Sequence, residues 1–500
     1  MQVTENGGKE WRKIDKIEGV PADSYVHRII ASQHAEGTVF ALFNNHQNGD
    51  FRPYIVKSTD KGKTWTSISA NLPERGSLYG IAEDYKNPNL LFVGTEFGIF
   101  FTVDGGIKWT QLKGGLPTIA VRDIAIHKGM DDLVIATFGR GIYVLDDYSP
   151  LRNISKETLE QKSAVFLVRD AMMYIRSNTV LAGAQGASFY TAPNPPYGAT
   201  ITYFLKESPK TLRQKRLDVE RAAEKDKKTP PYPSIEDLRA ESEEEAPSTV
   251  FTITDAEGRV VRRFNGSAGS GVQRVTWDFR ETPPAISAGG GANPFGEGEG
   301  FNRGPQGSLV MPGKYTVTMS LKVNGTVTPL PGSQTFNVVV EGKDNLTEAE
   351  HKTLSDFQKK VAILERAVSG AGDAAVVAKT RIGLLRKSAD AAPILNNKSL
   401  VSRAKSLEDE VNAILNAIRG GRENSDIPPP TIARRVNVVS DAIRLSLRTP
   451  TKTQIDQYGI ALRQFEPMLL RLRKLIDADI PALEKELEAA GAPLTPGRLP

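Results

Sequence analysis

The sequence predicts a multidomain chain of β followed by α: partial β-propeller blades, then an antiparallel β-sandwich, then a C-terminal helical bundle. Three observations predict it. A turn-forming segment ending in tryptophan recurs three times in the first 110 residues. Short period-two strands punctuated by turns run from about residue 200 to 340. Apolar residues then recur at 3–4 spacing to the end. At 500 residues the chain exceeds one ordinary core. Its 39% hydrophobic and 25% charged residues are those of a globular protein.

The recurring segments are Thr4-Glu5-Asn6-Gly7-Gly8-Lys9-Glu10-Trp11, Ser58-Thr59-Asp60-Lys61-Gly62-Lys63-Thr64-Trp65 and Thr102-Val103-Asp104-Gly105-Gly106-Ile107-Lys108-Trp109. Trp11 to Trp65 is 54 residues and Trp65 to Trp109 is 44, and these are three of only four tryptophans. The pattern makes a tight hairpin. Asn6, Asp60 and Asp104 accept hydrogen bonds from turn N–H groups. Gly8, Gly62 and Gly106 supply a backbone conformation that side chains resist. Trp11, Trp65 and Trp109 start the returning strand and pack between sheets. Strand-like runs precede the turns, as in Thr38-Val39-Phe40-Ala41-Leu42 and Leu90-Leu91-Phe92-Val93-Gly94; Leu133-Val134-Ile135-Ala136-Thr137 repeats the run without the turn. Repeats of this length built from short strands imply propeller blades.

These segments resemble the Asp box of BNR/Asp-box propellers, a set that includes sialidases, two-propeller xyloglucanases and sortilin-type receptors. Phe138-Gly139-Arg140-Gly141-Ile142-Tyr143-Val144-Leu145-Asp146-Asp147 resembles the closing blade of a bacterial group described as "glycosyl hydrolase, BNR repeat" or sortilin N-terminal domain-like. Many members carry His and Trp where this chain has Phe138 and Tyr143. The likeness extends to Gly491-Ala492-Pro493-Leu494-Thr495-Pro496-Gly497-Arg498. It implies that the box residues are structural, that the parent protein is secreted or periplasmic, and that further blades exist in cis. Propellers close with about four to eight blades, so residues 1–152 are expected to be the last blades of an open fan. Met1 is followed by neither a basic nor an apolar leader, so no signal peptide is expected in this chain.

Residues 153–342 are expected to form the sandwich. Its strands are Thr200–Leu205, Thr249–Thr254 with Arg259–Phe264 across the turn Asp255-Ala256-Glu257-Gly258, Val272–Phe279, Gly313–Met319 and Gln334–Val340. The pattern resembles an immunoglobulin or fibronectin type III module, with Trp277 in its core. A charged insertion at 206–246 and a Gly-rich loop at 285–308 interrupt it. Residues 343–490 carry the bundle and 491–500 a tail. Thr347-Glu348-Ala349-Glu350 is a capping box, and Gly370, Pro393, the Pro428–Pro430 run and Pro450 separate four or five helices.

Chemistry is sparse. Without cysteine there is no disulfide, thiolate metal site or thiol nucleophile, and the five histidines lack ligand spacing, so neither metal nor cofactor is expected. A net charge of +5 does not mark a nucleic-acid protein, and no apolar run suits a membrane span. Glycoside hydrolysis needs two carboxylates flanking the sugar bond. Glu96 and Asp123 are the candidates, because they sit near strands that could face a central channel. The balance leans away from an enzyme for this chain. The expected function is non-catalytic binding or scaffolding, with propeller and sandwich surfaces presented to a glycan or protein. The alternative is a glycoside hydrolase of the BNR propeller type whose active site lies mostly on blades missing from this chain.

Overall fold

A computed structural model describes all residues except 175–191, 193, 231, 284–306, 343–345, 395–396, 421–428, 445–447 and 497–500. The Gly-rich loop expected at 285–308 therefore lies outside the described residues save for its last two. The chain is mixed β and α, with several sheets followed by C-terminal helices.

The first 150 residues make short antiparallel sheets. β1 (Gln2–Val3) pairs with β2 (Arg12–Lys13). A four-stranded meander follows: β3 (Tyr25–Ala31), β4 (Val39–Asn45), β5 (Asp50–Ser58) and β6 (Thr66–Ser67). A second comprises β7 (Leu78–Glu83), β8 (Leu91–Thr95), β9 (Gly98–Thr102) and β10 (Thr110–Gln111). A third sheet has three strands: β11 (Val121–His127), β12 (Asp132–Thr137) and β13 (Ile142–Leu145). The unbroken apolar runs of β4 and β8 follow from burial on both faces. Phe40 and Leu42 meet Leu91 and Val93 in one core, whereas Phe92 turns the other way to Val121, Ile124 and Leu133. The outer face of the first sheet, with Ala41, Phe43 and Val56, is covered by Met1, Ile17 and Val20. The sheets thus stack face to face in a row. The second and third approach so closely that a Cβ on Gly94 would lie 2.5 Å from the Val121 carbonyl oxygen.

One buried charge network locks that stack. The Arg152 guanidinium binds Asp84, which has no exposed surface, at 2.7 Å and Asp131 at 2.5 Å. Tyr148 donates to Asp84 at 2.6 Å and Tyr85 to Asp131 at 2.7 Å. Backbone N–H groups of Lys86 and Asn87 complete the Asp84 shell. Every charge there is paired and hydrogen-bonded, which is the condition for burying it.

A short helix, α1 (Lys156–Glu160), leads to two sheets over a shared core. One contains β14 (Ser163–Val165), β16 (Ala199–Leu205) and β19 (Gly271–Trp277). The other contains β15 (Ala171–Met173), β21 (Thr326–Val340), β20 (Gly313–Val323), β17 (Ser248–Thr254) and β18 (Val260–Ser267). Trp277 is buried among Phe279, Tyr315 and Phe336, and its Nε1 donates to the Arg280 carbonyl at 2.9 Å. The β20–β21 hairpin is longer than the period-two pattern indicates, because it continues past the core into solvent. Between β16 and β17 stand α2 (Leu212–Lys225) and α3 (Ile235–Glu243), neither with a buried residue. The acidic stretch becomes helix α3 because Ser234 and Asp237 form a capping box, and Arg216 of α2 binds Glu241 at 2.6 Å.

The C-terminal helices are α4 (Glu348–Asp390), α5 (Lys398–Arg419), α6 (Ile432–Arg444), α7 (Lys452–Lys474) and α8 (Ile480–Ala489), the last two joined by a π-helical turn at Leu475–Asp479. The stripe Leu400, Ala404, Leu407, Val411, Ile414 and Ile418 is wholly buried. The expected break at Gly370 does not occur: α4 runs through it for 43 residues. A glycine removes a side chain and gains freedom, but it keeps its N–H donor, and packing on both sides outweighs the lost propensity.

Two outcomes follow. Arg152→Met leaves Asp84 and Asp131 buried without a counter-charge, so the β-rich part should lose about 3–5 kcal/mol, read by urea unfolding with tryptophan fluorescence. At Gly370 nothing lies within 4 Å of an added Cβ, so Gly370→Ala should stabilise the helical part by about 0.5–1 kcal/mol. Destabilisation there would mean that the helix breaks.

Candidate functional site

In an antiparallel meander, alternate connections lie at opposite ends. The starts of β3, β7 and β11 therefore share one end with the turns at 46–49, 96–97 and 138–141. The box turns at 59–65 and 103–109, and the Arg152 network, lie at the other end.

Each of the three leading strands is irregular at the same place. The register shifts between Val26 and Arg28, between Leu78 and Gly80, and between Val121 and Asp123. The residues set out of register are His27, Tyr79 and Arg122. A bulge re-aims a side chain and is common beside binding sites. Here three bulges bring three side chains together. The His27 and Tyr79 rings meet edge to face at 5.3 Å. The Arg122 guanidinium lies 3.8 Å from the centre of the Tyr79 ring and 5.0 Å from that of Phe138, in the β12–β13 turn. Phe138 is 65% exposed and Tyr25, beside His27, 64%.

Both candidate acids belong to this cluster. Glu96, at the β8–β9 turn, accepts a hydrogen bond from the Tyr79 hydroxyl. Asp123 pairs with Arg28 at 2.9 Å. The structure brings them into one connected group, with each carboxylate engaged by a neighbour. Burial raises the Tyr79 phenol's pKa, and the bond to Glu96 adds to it. Burial and then the charges of Arg28 and Arg122 lower the pKa of His27. At neutral pH the phenol keeps its proton and the imidazole is uncharged. The surface can offer aromatic faces, a guanidinium edge and hydrogen-bonding groups. Among the described residues there is no group of three potential metal ligands and no helix long and apolar enough to cross a membrane.

Glu83 and Asp84 are occupied at the far end. Glu83 accepts from the Ser32 hydroxyl and Gln33 N–H, and Asp84 holds Arg152.

The three box turns share one hydrogen-bond scheme. The Asp60 carboxylate accepts from the N–H of Lys63 at 2.9 Å and of Thr64 at 3.0 Å, while the Ser58 hydroxyl accepts from the N–H of Gly62. Asp104 accepts from the N–H of Ile107 and Lys108, and the Thr102 hydroxyl from that of Gly106. Asn6 accepts from the N–H of Glu10 and from the Thr4 hydroxyl, which itself accepts from the N–H of Gly8. The tryptophans differ. Trp109 is 2% exposed and donates to Ile68 of the preceding sheet's outer segment, Trp65 is half-buried, and Trp11 is 58% exposed.

His27, Arg28 and Tyr79 are not apparent from residue chemistry alone. One signal precedes them: Val26-His27-Arg28-Ile29, Leu78-Tyr79-Gly80-Ile81 and Val121-Arg122-Asp123-Ile124 share the pattern aliphatic-x-x-Ile at the start of each sheet.

Comparison with protein families gives no match, and comparison with curated proteins gives none either. Solved structures similar to this chain include a GH74 enzyme from Niastella koreensis, 21% identical over 24% of this chain and 21% of that one, with a TM-score of 0.20. Another is a GH74 xyloglucanase from Xanthomonas campestris, 9% identical over 61% of this chain and 38% of that one, also with a TM-score of 0.20. The chain thus spans less than two fifths of the length of either. With likeness of this size, activity and ligand are to be argued from the residues.

The box turns give a pH dependence. Hydrogen bonds from Thr64 N–H first, then its hydroxyl, hold the Asp60 carboxyl below the usual carboxylate range. A group depressed on folding stabilises above its unfolded pKa, about 4, and that contribution fades as pH falls through the folded value. Asp60→Ala should therefore lower stability at pH 7 and flatten its loss below about pH 4, in urea titrations across pH 7 to 3. An unchanged acid limb would show that Asp60 does not hold the turn.

Proposed function

We propose that residues 1–152 are consecutive blades of an Asp-box β-propeller, 153–342 an immunoglobulin-like sandwich and 343–490 a helical bundle with a short tail. On this reading Asn6, Gly8, Trp11, Asp60, Gly62, Trp65, Asp104, Gly106 and Trp109 serve the turns rather than a ligand. The chain is a non-catalytic binding protein, from an extracytoplasmic parent, and the end of the sheets that carries the bulges is its ligand face. One observation carries this: successive sheets each spend a bulge to aim His27, Tyr79 and Arg122 into one exposed cluster. Exposed aromatic rings beside charged and hydrogen-bonding groups suit a glycan, whose ring C–H faces rest on aromatics while its hydroxyls bond to the polar groups.

Binding is favoured over hydrolysis because neither acid is left to act. Glu96 already holds the Tyr79 proton donor, and Asp123 is neutralised by Arg28. Most glycosidases use one carboxyl free to protonate the leaving oxygen and another poised at about 5 Å, or about 6.5–9.5 Å, across the bond.

The test pairs binding with turnover. Immobilised β-glucan and uronate oligosaccharides should retain the purified chain. Phe138→Ala should weaken retention about three- to tenfold, while Lys63→Gln at the box end changes nothing. Aryl glycosides and the same oligosaccharides should be hydrolysed only at background rate. Turnover that disappears in Glu96→Gln or Asp123→Asn would establish the hydrolase reading instead.

A further inference from the structure

Arg122 and Arg140, both at the ligand face, have no ion-pair partner among the described residues. Arg28 is paired with Asp123. Glu96 is taken up by Tyr79. Arg122 has no ion-pair partner among the described residues, and its Nε is buried without a hydrogen bond. Its charge rests instead on the Tyr79 and Phe138 rings. Such stacking covers the guanidinium's faces and leaves its edge, where two parallel N–H bonds meet a planar anion. The next turn residue but one after Phe138 is Arg140, exposed and without an ion pair among the described residues. Burial first, and then the charges of Arg28 and Arg122, oppose the charging of His27.

We infer that the ligand is an acidic saccharide, a pyranose bearing a carboxylate, with the carboxylate on the edge of Arg122 and the sugar ring against Phe138. This rests on the reading of this end as a glycan-binding face and adds the ligand's class. The juxtaposition argues for a sugar over an acidic peptide. Arg122 and the exposed Phe138 ring are 5.0 Å apart, a span that a single uronate covers with its carboxylate and its C–H face. A carboxylate-bearing peptide side chain would engage the guanidinium and leave the aromatic ring in water. The remaining cation, Arg140, stands where a neighbouring uronate of the same chain would present its own charge.

The experiment titrates the full chain by calorimetry with three probes: an oligogalacturonide, the same oligomer with its carboxyls reduced to alcohols, and an acidic peptide of equal charge. The oligogalacturonide should bind at least about tenfold more tightly than the reduced oligomer, and more weakly as salt is raised. Arg122→Gln should abolish that preference, read as the ratio of the two oligomers' affinities for the same variant. Arg122→Lys, which keeps the charge but not the planar edge, should restore only part of it. The reduced oligomer is a change in the ligand alone, so the comparison stands even if a variant is destabilised. Equal binding of both oligomers would overturn the carboxylate assignment and leave the glycan face standing. Binding of the peptide alone, or of none of the probes, would overturn both.

Discussion

The Arg152 guanidinium, buried between Asp84 and Asp131, is the contact on which the β-rich half depends. It gathers the loop after β7, the loop between β11 and β12, and the segment that leaves β13. A buried cation of this kind is stable only while each partner holds its place, because a missing one leaves an unpaired charge in a dry site. The network therefore acts as a geometric constraint more than as a source of energy. It fixes the second and third sheets against each other at one end, and Glu83, through Ser32 and Gln33, adds the first.

Closure at that end frees the other. The strands leave the locked end in register and diverge from regular pairing where they reach the opposite one, in the leading strands at His27, Tyr79 and Arg122 and in β4 at Asn44. The box turns and the aromatic and cationic cluster are thereby separated along the strand axis. The box carboxylates satisfy backbone N–H groups that would otherwise be lost in tight turns, and none of them reaches the aromatic and cationic cluster. The same separation explains why the acids near these strands divide into two sets. Glu83 and Asp84 are buried and spent on structure. Glu96 and Asp123 are partly accessible and spent on holding the side chains around them.

The later parts join the sheets through a few polar contacts. Arg274 of β19 donates to the Asp146 and Asp147 carbonyls, and Arg169 to that of Met130. Each part otherwise closes its own core: Trp277 with Phe279, Tyr315 and Phe336 in one, and the long stripes of α4, α5 and α7 in the other. The helices α2 and α3 bury nothing and are held by capping boxes and ion pairs, as their charge-rich sequence requires.

The sequence by itself determined where strands and helices form, because their signals are local. Period-two and continuous apolar runs marked β4, β8, β16 and β17, 3–4 stripes marked α5, and the Ser/Thr-x-Asp-x-Gly pattern marked turns whose hydrogen bonds close within a few residues. It also singled out Glu96 and Asp123, as acids close to strands. Tertiary structure decided the rest. Gly370 sits within a helix because packing over 43 residues outweighs one residue's propensity. Asp84 and Asp131 are 47 residues apart, and nothing local to either announces that Arg152 will join them. The cluster at the opposite end depends on bulges, and a bulge is a mismatch between two strands. It has no existence in one strand alone, so His27, Tyr79 and Arg122 acquire a common role only when three sheets stack and bring their leading strands side by side.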